Sequence, residues 1–139
     1  MSLDTFSAFL DFAIRLENSG LDFFIRTEGG LSGRERDVAQ RFKAEAEKNV
    51  RLLRTVLREN VTELVMEPCA AVDESDYLYL LAPKPETAQD PAWKSSLGIL
   101  EKQRDFLRDA AKAVNLREVR RTFEKMADVK DRLILECKQ

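Results

Sequence analysis

No histidine occurs anywhere in the 139 residues, which removes the commonest neutral metal ligand and the commonest general base near neutral pH. Glycine (5) and proline (4) are scarce, while charged residues make up 35% and apolar ones 44%. That balance argues against a turn-rich β architecture and for a soluble, mostly helical protein. Only two cysteines are present, Cys69 and Cys137, without a Cys-x-x-Cys pair; they read as reduced, partly buried thiols rather than a disulfide. Charge of one sign is also missing. The 23 basic and 25 acidic residues are intermixed to a net of −2, so no broad basic face for nucleic acid and no polybasic membrane tether is expected. Apolar runs are too short to span a bilayer, and the amino terminus lacks the basic and apolar regions of a secretory signal. The expectation is one cytoplasmic domain of 16.0 kDa, with no nucleic-acid or membrane partner.

What is present is helical punctuation. A first helix is expected from about 4 to 28, stopped by Gly29 and Gly30, because glycine readily adopts the left-handed conformation that ends helices. Ser32 and Glu35 then make a capping box for a second helix, 32–60. Residues 61–89 hold Pro68, Pro83 and Pro85 with an apolar patch from Tyr77 to Ala82, and read as a crossover carrying one short packed helix. Asp90 and Pro91 supply a cap and a first helical residue for the third helix, 90–114. Asn115 and Glu118 offer a second capping box, opening the fourth, 116–137.

Each segment carries one apolar stripe with steps of three and four, as bundle helices require. The first runs Phe6, Leu10, Ala13, Glu17, Leu21, Phe24, and the second Val38, Phe42, Ala46, Asn49, Leu53, Val56. The third runs Trp93, Leu97, Leu100, Arg104, Leu107, Ala111, and the fourth Val119, Phe123, Met126, Lys130, Leu133, Cys137. Three stripes are interrupted near mid-helix by a charge and one by an amide, where a bundle least allows side chains to reach water. The two halves also repeat weakly. Leu10 matches Trp93 and Phe23 matches Phe106 at an offset of 83, and Phe42 matches Met126 at 84. Two related antiparallel hairpins joined by a long crossover define an all-α four-helix bundle of the ferritin type.

Within those helices, FAIRLENSGLDFF (12–24) and FKAEAEKNVRLL (42–53) resemble the first two helices of rubrerythrin-like domains of the ferritin-like superfamily. In the first a glutamate precedes an aromatic pair; in the second a Glu-x-x-His precedes a leucine pair. ILEKQRDFL (99–107) and TFEKMADVKDRLIL (122–135) resemble the third and fourth. The resemblance covers roughly three quarters of the chain and is carried by pattern, with no diagnostic motif. It implies a di-iron site built from one glutamate on each of two helices and a Glu-x-x-His on each of the others. Only Glu17 matches that set. The remaining ligand positions fall on Ala46 and Asn49, on Leu100, and on Lys130 and Leu133. The resemblance therefore implies a degenerate site, no metal cofactor and no catalysis of the ancestral kind.

A register shift of one residue leaves a carboxylate-only iron site open, from Glu17, Glu45, Glu47, Glu101 and Asp128, although the last four read more readily as ordinary solvated helix charges. In the unshifted register, Lys130 supplies the positive charge that iron would supply, pairing with Glu17 and hydrogen-bonding Asn49, with Arg104 joining or capping the layer. The alternative is that Lys130 and Arg104 run along the core edge and place their charged ends in water. Ser32, Ser95 and Ser96 have no histidine partner for nucleophilic catalysis, and Tyr77, Tyr79 and Trp93 read as crossover packing. Three functions follow: a non-catalytic structural or protein-interaction module, a divergent metal-binding oxidoreductase, or a small-molecule-binding bundle with Glu17, Asn49 and Lys130 at its pocket wall. The resemblance also implies side-by-side homodimers, for which Phe9, Phe12, Leu52 and Leu57 would form the interface unless they pack beneath the crossover.

Overall fold

A computed structural model describes residues 2–28, 33–59, 68–73, 75, 77, 92–114 and 116–137. Its bulk is four helices: α1 (Phe6–Glu28), α2 (Gly33–Glu59), α3 (Ala92–Ala113) and α4 (Arg117–Cys137). Two short strands, β1 (Ser2–Thr5) and β2 (Pro68–Asp73), form an antiparallel ribbon with an irregular register between Leu3 and Thr5. The helix boundaries lie within two residues of those expected from the sequence. Glu35 and Glu118 place acidic side chains in the first turns of α2 and α4, and Arg26, Arg58 and Lys112 place basic ones in the last turns of α1, α2 and α3. Each of these complements the helix dipole. Gly33 enters α2 with φ of 59°, a left-handed conformation that side-chain-bearing residues resist.

The ribbon corrects one expectation: the chain begins as a strand where helix was expected from Asp4. The crossover adds β2, which was not expected, and the short helix expected around the patch from Tyr77 to Ala82 lies, beyond Tyr77, outside the described residues. Each extended segment supplies the other with backbone hydrogen-bond partners that neither obtains alone. The glycine pair after α1, Ser32, the Asp90 and Pro91 start and Asn115 lie outside the described residues, as do Tyr79 and the side chains of Cys69, Trp93, Ser95 and Cys137.

The core is aromatic at its centre. Phe106 of α3 is fully buried and meets Phe12 edge-on at 5.1 Å, Phe9 at 6.5 Å and Tyr77 edge-on at 5.3 Å. Phe24 of α1 meets Phe42 of α2 at 5.4 Å. Phe9 and Phe12 are thus interior, on the same Phe106 ring that carries the crossover Tyr77, so of the two expected roles they take packing beneath the crossover and not a dimer interface. Leu57 is partly buried against the same core, and only Leu52 of that group stays exposed. Tyr77 packs as expected and donates a hydrogen bond to Asp109, tying the crossover to α3.

The cross-helix contacts give the helix directions. Phe24 faces Phe42 while Glu17 lies level with Glu45, so α1 and α2 run oppositely. Gln103 reaches Leu16 while Phe106 reaches Phe12, so α3 runs against α1. Arg104 and Arg108 meet Asp131, while Ala111 and Val114 accept from Arg120, so α4 runs against α3. Among the described residues, no helix is long and apolar enough to cross a membrane.

Phe106→Ala removes the ring on which both the α1 aromatics and the crossover tyrosine rest, and should cost about 3–5 kcal/mol. Urea unfolding measures it; a loss below about 1 kcal/mol would show that the aromatic centre is not the packing nucleus described here.

Candidate functional site

At mid-bundle every helix contributes one or more polar side chains to a single buried layer. Glu17 comes from α1, Glu45 and Asn49 from α2, Gln103 from α3 and Lys130 from α4; their exposures are 2%, 7%, 5%, 1% and 0%. The heptad-like steps explain why. On α2 the buried positions run Phe42, Glu45, Ala46, Asn49, Val50, Leu53, and on α3 they include Ser96, Ile99, Leu100, Gln103, Phe106 and Leu107. Each stripe is wide enough to take both the three-step and the four-step position, so polar residues one place off the narrow seam still point inward.

Lys130 is the hub. Its Nζ lies 3.0 Å from Glu17 Oε1, 3.1 Å from Glu45 Oε2 and 3.2 Å from Gln103 Oε1. An ammonium has three N–H donors and no acceptor, so three oxygens from three other helices satisfy it completely. Asn49 donates to Glu45, holding that carboxylate in the layer. Gln103 Nε2 donates to the Leu16 carbonyl at 3.0 Å. Gly20, one turn along α1, makes that approach possible: a Cβ there would collide with Gln103 Nε2.

The electrostatics follow from burial. Desolvation is the strongest influence on Glu17 and pushes its carboxyl up; Lys130 pulls it back, and the Glu45 charge pushes it up again, leaving it at about 7. Burial disfavours the Lys130 ammonium, but the Glu17 and Glu45 carboxylates outweigh that cost through charge and hydrogen bonding and hold its pKa above the ordinary value. With two carboxylates facing one ammonium, the layer is neutral when Glu17 carries a proton and negative when it does not.

The structure brings Glu17 and Lys130 together in the layer that also holds Asn49, but the expected hydrogen bond from Lys130 to Asn49 is a correction: Lys130 donates to Glu45 and Gln103 instead, and Asn49 donates to Glu45. Ala46, Leu100 and Leu133 are buried as apolar packing around them. Arg104 is a correction: it turns away from the layer to pair with Asp131 at 2.8 Å and Asp105 at 3.2 Å, with Arg108 on the other oxygen of Asp131. A guanidinium has more to desolvate than an amide, so Gln103 takes the inward position and Arg104 the outer one. Partial burial pushes Asp131 up, but the two arginines together hold its carboxyl below the usual range. Glu45 is also a correction: in the sequence it reads more as a solvated helix charge than as an inward ligand, and it is buried. Glu47 and Asp128 are exposed and Glu101 is half-buried, so of the five carboxylates in the shifted register only Glu17 and Glu45 are buried. Gln103 was missed. The signal available for it was a glycine inside a long helix at a position where another polar side chain could approach.

No family model matches the chain, and neither curated proteins nor solved structures provide a match.

Two predictions follow from the layer. Lys130→Met leaves two buried carboxylates without their cation and should cost about 3–5 kcal/mol, whereas adding Glu17→Gln should recover part of that loss; strictly additive losses in a double-mutant cycle would contradict the pairing. The second concerns pH. Because folding raises the Glu17 pKa, the folded protein holds a proton that the unfolded chain releases between about 4.5 and 7. Its contribution is therefore fully present below pH 4.5 and lost as pH rises through 7. The stability of the native protein relative to Glu17→Gln should decline across that window by an amount on the order of 3 kcal/mol, and a flat difference would refute the buried titration.

Proposed function

We propose that this chain is a ferritin-like bundle related to the rubrerythrin-like domains, in which a lysine ammonium has taken the place of the metal centre. It works without catalysis, as a structural or protein-interaction module. The observation that carries the reading is the saturated Lys130 ammonium at the centre of the bundle, bonded to Glu17, Glu45 and Gln103. A fixed positive charge between the carboxylates does electrostatically what a cation would do, and it neither changes oxidation state nor presents an open coordination position.

Two further features support the relationship. Since α3 and α2 both run against α1, they run the same way, and the crossover between them must traverse the bundle's length, the connection used by ferritin-like folds. Glu17 and Glu45 lie on the inward faces of the first hairpin, where such folds place carboxylates. The donor chemistry does not fit a di-iron centre. The layer offers two carboxylates, two carboxamides and no imidazole, and the ammonium beside both carboxylates repels a divalent ion.

Mass-spectrometric metal analysis tests the reading, on protein produced with iron, manganese and zinc available and with Glu17→Ala alongside. Substoichiometric metal in a protein with a cooperative unfolding transition is the expected result. Near-stoichiometric metal that disappears in Glu17→Ala would overturn it in favour of the carboxylate-only metal site.

A further inference from the structure

The sequence's near-neutral charge conceals a local imbalance on α2. From Lys48 to Arg58 there are four basic residues, Lys48, Arg51, Arg54 and Arg58, and no acidic one, which leaves −6 for the rest of the chain. All four are exposed. At about 100° per residue they occupy roughly a third of the helix circumference, along about 15 Å of its length. Among the described residues none of the four side chains is engaged in an ion pair. This contrasts with Arg104 and Arg108, both paired to Asp131, and with Arg41, paired to Glu136. Like charges spaced three and four residues apart repel along a helix, so an unneutralised row of this kind is unfavourable for folding and calls for another explanation.

We propose that this row is a docking surface for an acidic amphipathic helix of a partner protein. Three of the four cations are arginines, whose planar forks match carboxylates in paired hydrogen bonds. Leu52, 39% exposed beside the row, supplies an apolar contact. Glu47 and Glu59 bound the row at either end. Those carboxylates suit a short ligand and disfavour a continuous phosphate backbone, which would have to run past them. A partner helix carrying carboxylates at spacings of three and four, with one leucine, fits both charge and length. The surface gives the interaction reading a place on the molecule, yet the two fail separately: metal content tests the first, and binding at this row tests the second.

The test uses the full chain and a labelled synthetic helix with glutamates at those spacings and a single leucine, followed by fluorescence anisotropy. Binding is expected at low salt and should weaken as salt rises. The triple variant Arg51→Gln, Arg54→Gln, Arg58→Gln should weaken it about tenfold or more, and Leu52→Ser should weaken it by a smaller factor. A control triple variant at the exposed residues Lys102, Lys112 and Arg121, each changed to Gln, should leave it unchanged. Equal losses in both triple variants, or no binding, would overturn the proposal. Tighter binding of a single-stranded oligonucleotide than of the peptide would overturn it in favour of a nucleic-acid surface. A homodimer that dissociates only in the Arg51, Arg54 and Arg58 variant would reassign the row to a second copy of the chain.

Discussion

A lysine ammonium with no exposed surface is the constraint around which the bundle is arranged. Lys130 cannot reach water, so its charge and all three of its N–H donors must be satisfied inside the protein. Satisfying them requires Glu17, Glu45 and Gln103 to arrive at one point from three different helices. A sliding of any helix by one turn would move its contribution about 5 Å away and leave a buried charge or amide unbonded. The layer is thus a register lock, and its effect on specificity exceeds its effect on net stability, since buried ion pairs often fail to recover their desolvation cost.

The surroundings make that lock strict. Phenylalanines from three helices exclude water on either side of the polar layer, with Phe24 and Phe42 toward one end and Phe12 and Phe106 toward the other. In that setting a second carboxylate is more than one ammonium can neutralise, and Glu17 takes up a proton far more readily than an exposed glutamate does. The Glu17 and Glu45 carboxylates hold the lysine charged against that burial. Glu17 is the adjustable member of the layer, and Lys130 is the fixed one.

Charges at the surface obey a different logic. Asp131 gathers Arg104 and Arg108, Glu136 takes Arg41 through its side chain and Arg34 through its carbonyl, and Tyr77 fastens the crossover through Asp109. These contacts are partly solvated and individually weak, yet they connect helix ends and the crossover that the central layer does not touch. Among the described residues the basic row on α2 has no such ion pairs, and this difference separates it from the other charged clusters.

The sequence by itself determined the helical class and the helix limits to within two residues, and it placed Glu17, Asn49 and Lys130 on the helix stripes, because periodicity and turn chemistry are local properties; whether the Lys130 ammonium paired inside or reached water it left open. It did not distinguish Gln103 from Arg104 as the inward residue, or show that Glu45 is buried beside Ala46. Adjacent positions on a wide buried stripe have nearly the same periodic signal, and the choice depends on what the neighbouring helices place opposite: Asp131 draws Arg104 outward, and Gly20 leaves room for Gln103. The β1 and β2 ribbon was equally illegible, since two short segments more than sixty residues apart become strands only by pairing with each other. Tertiary structure decided these points because each depends on a partner distant in the chain.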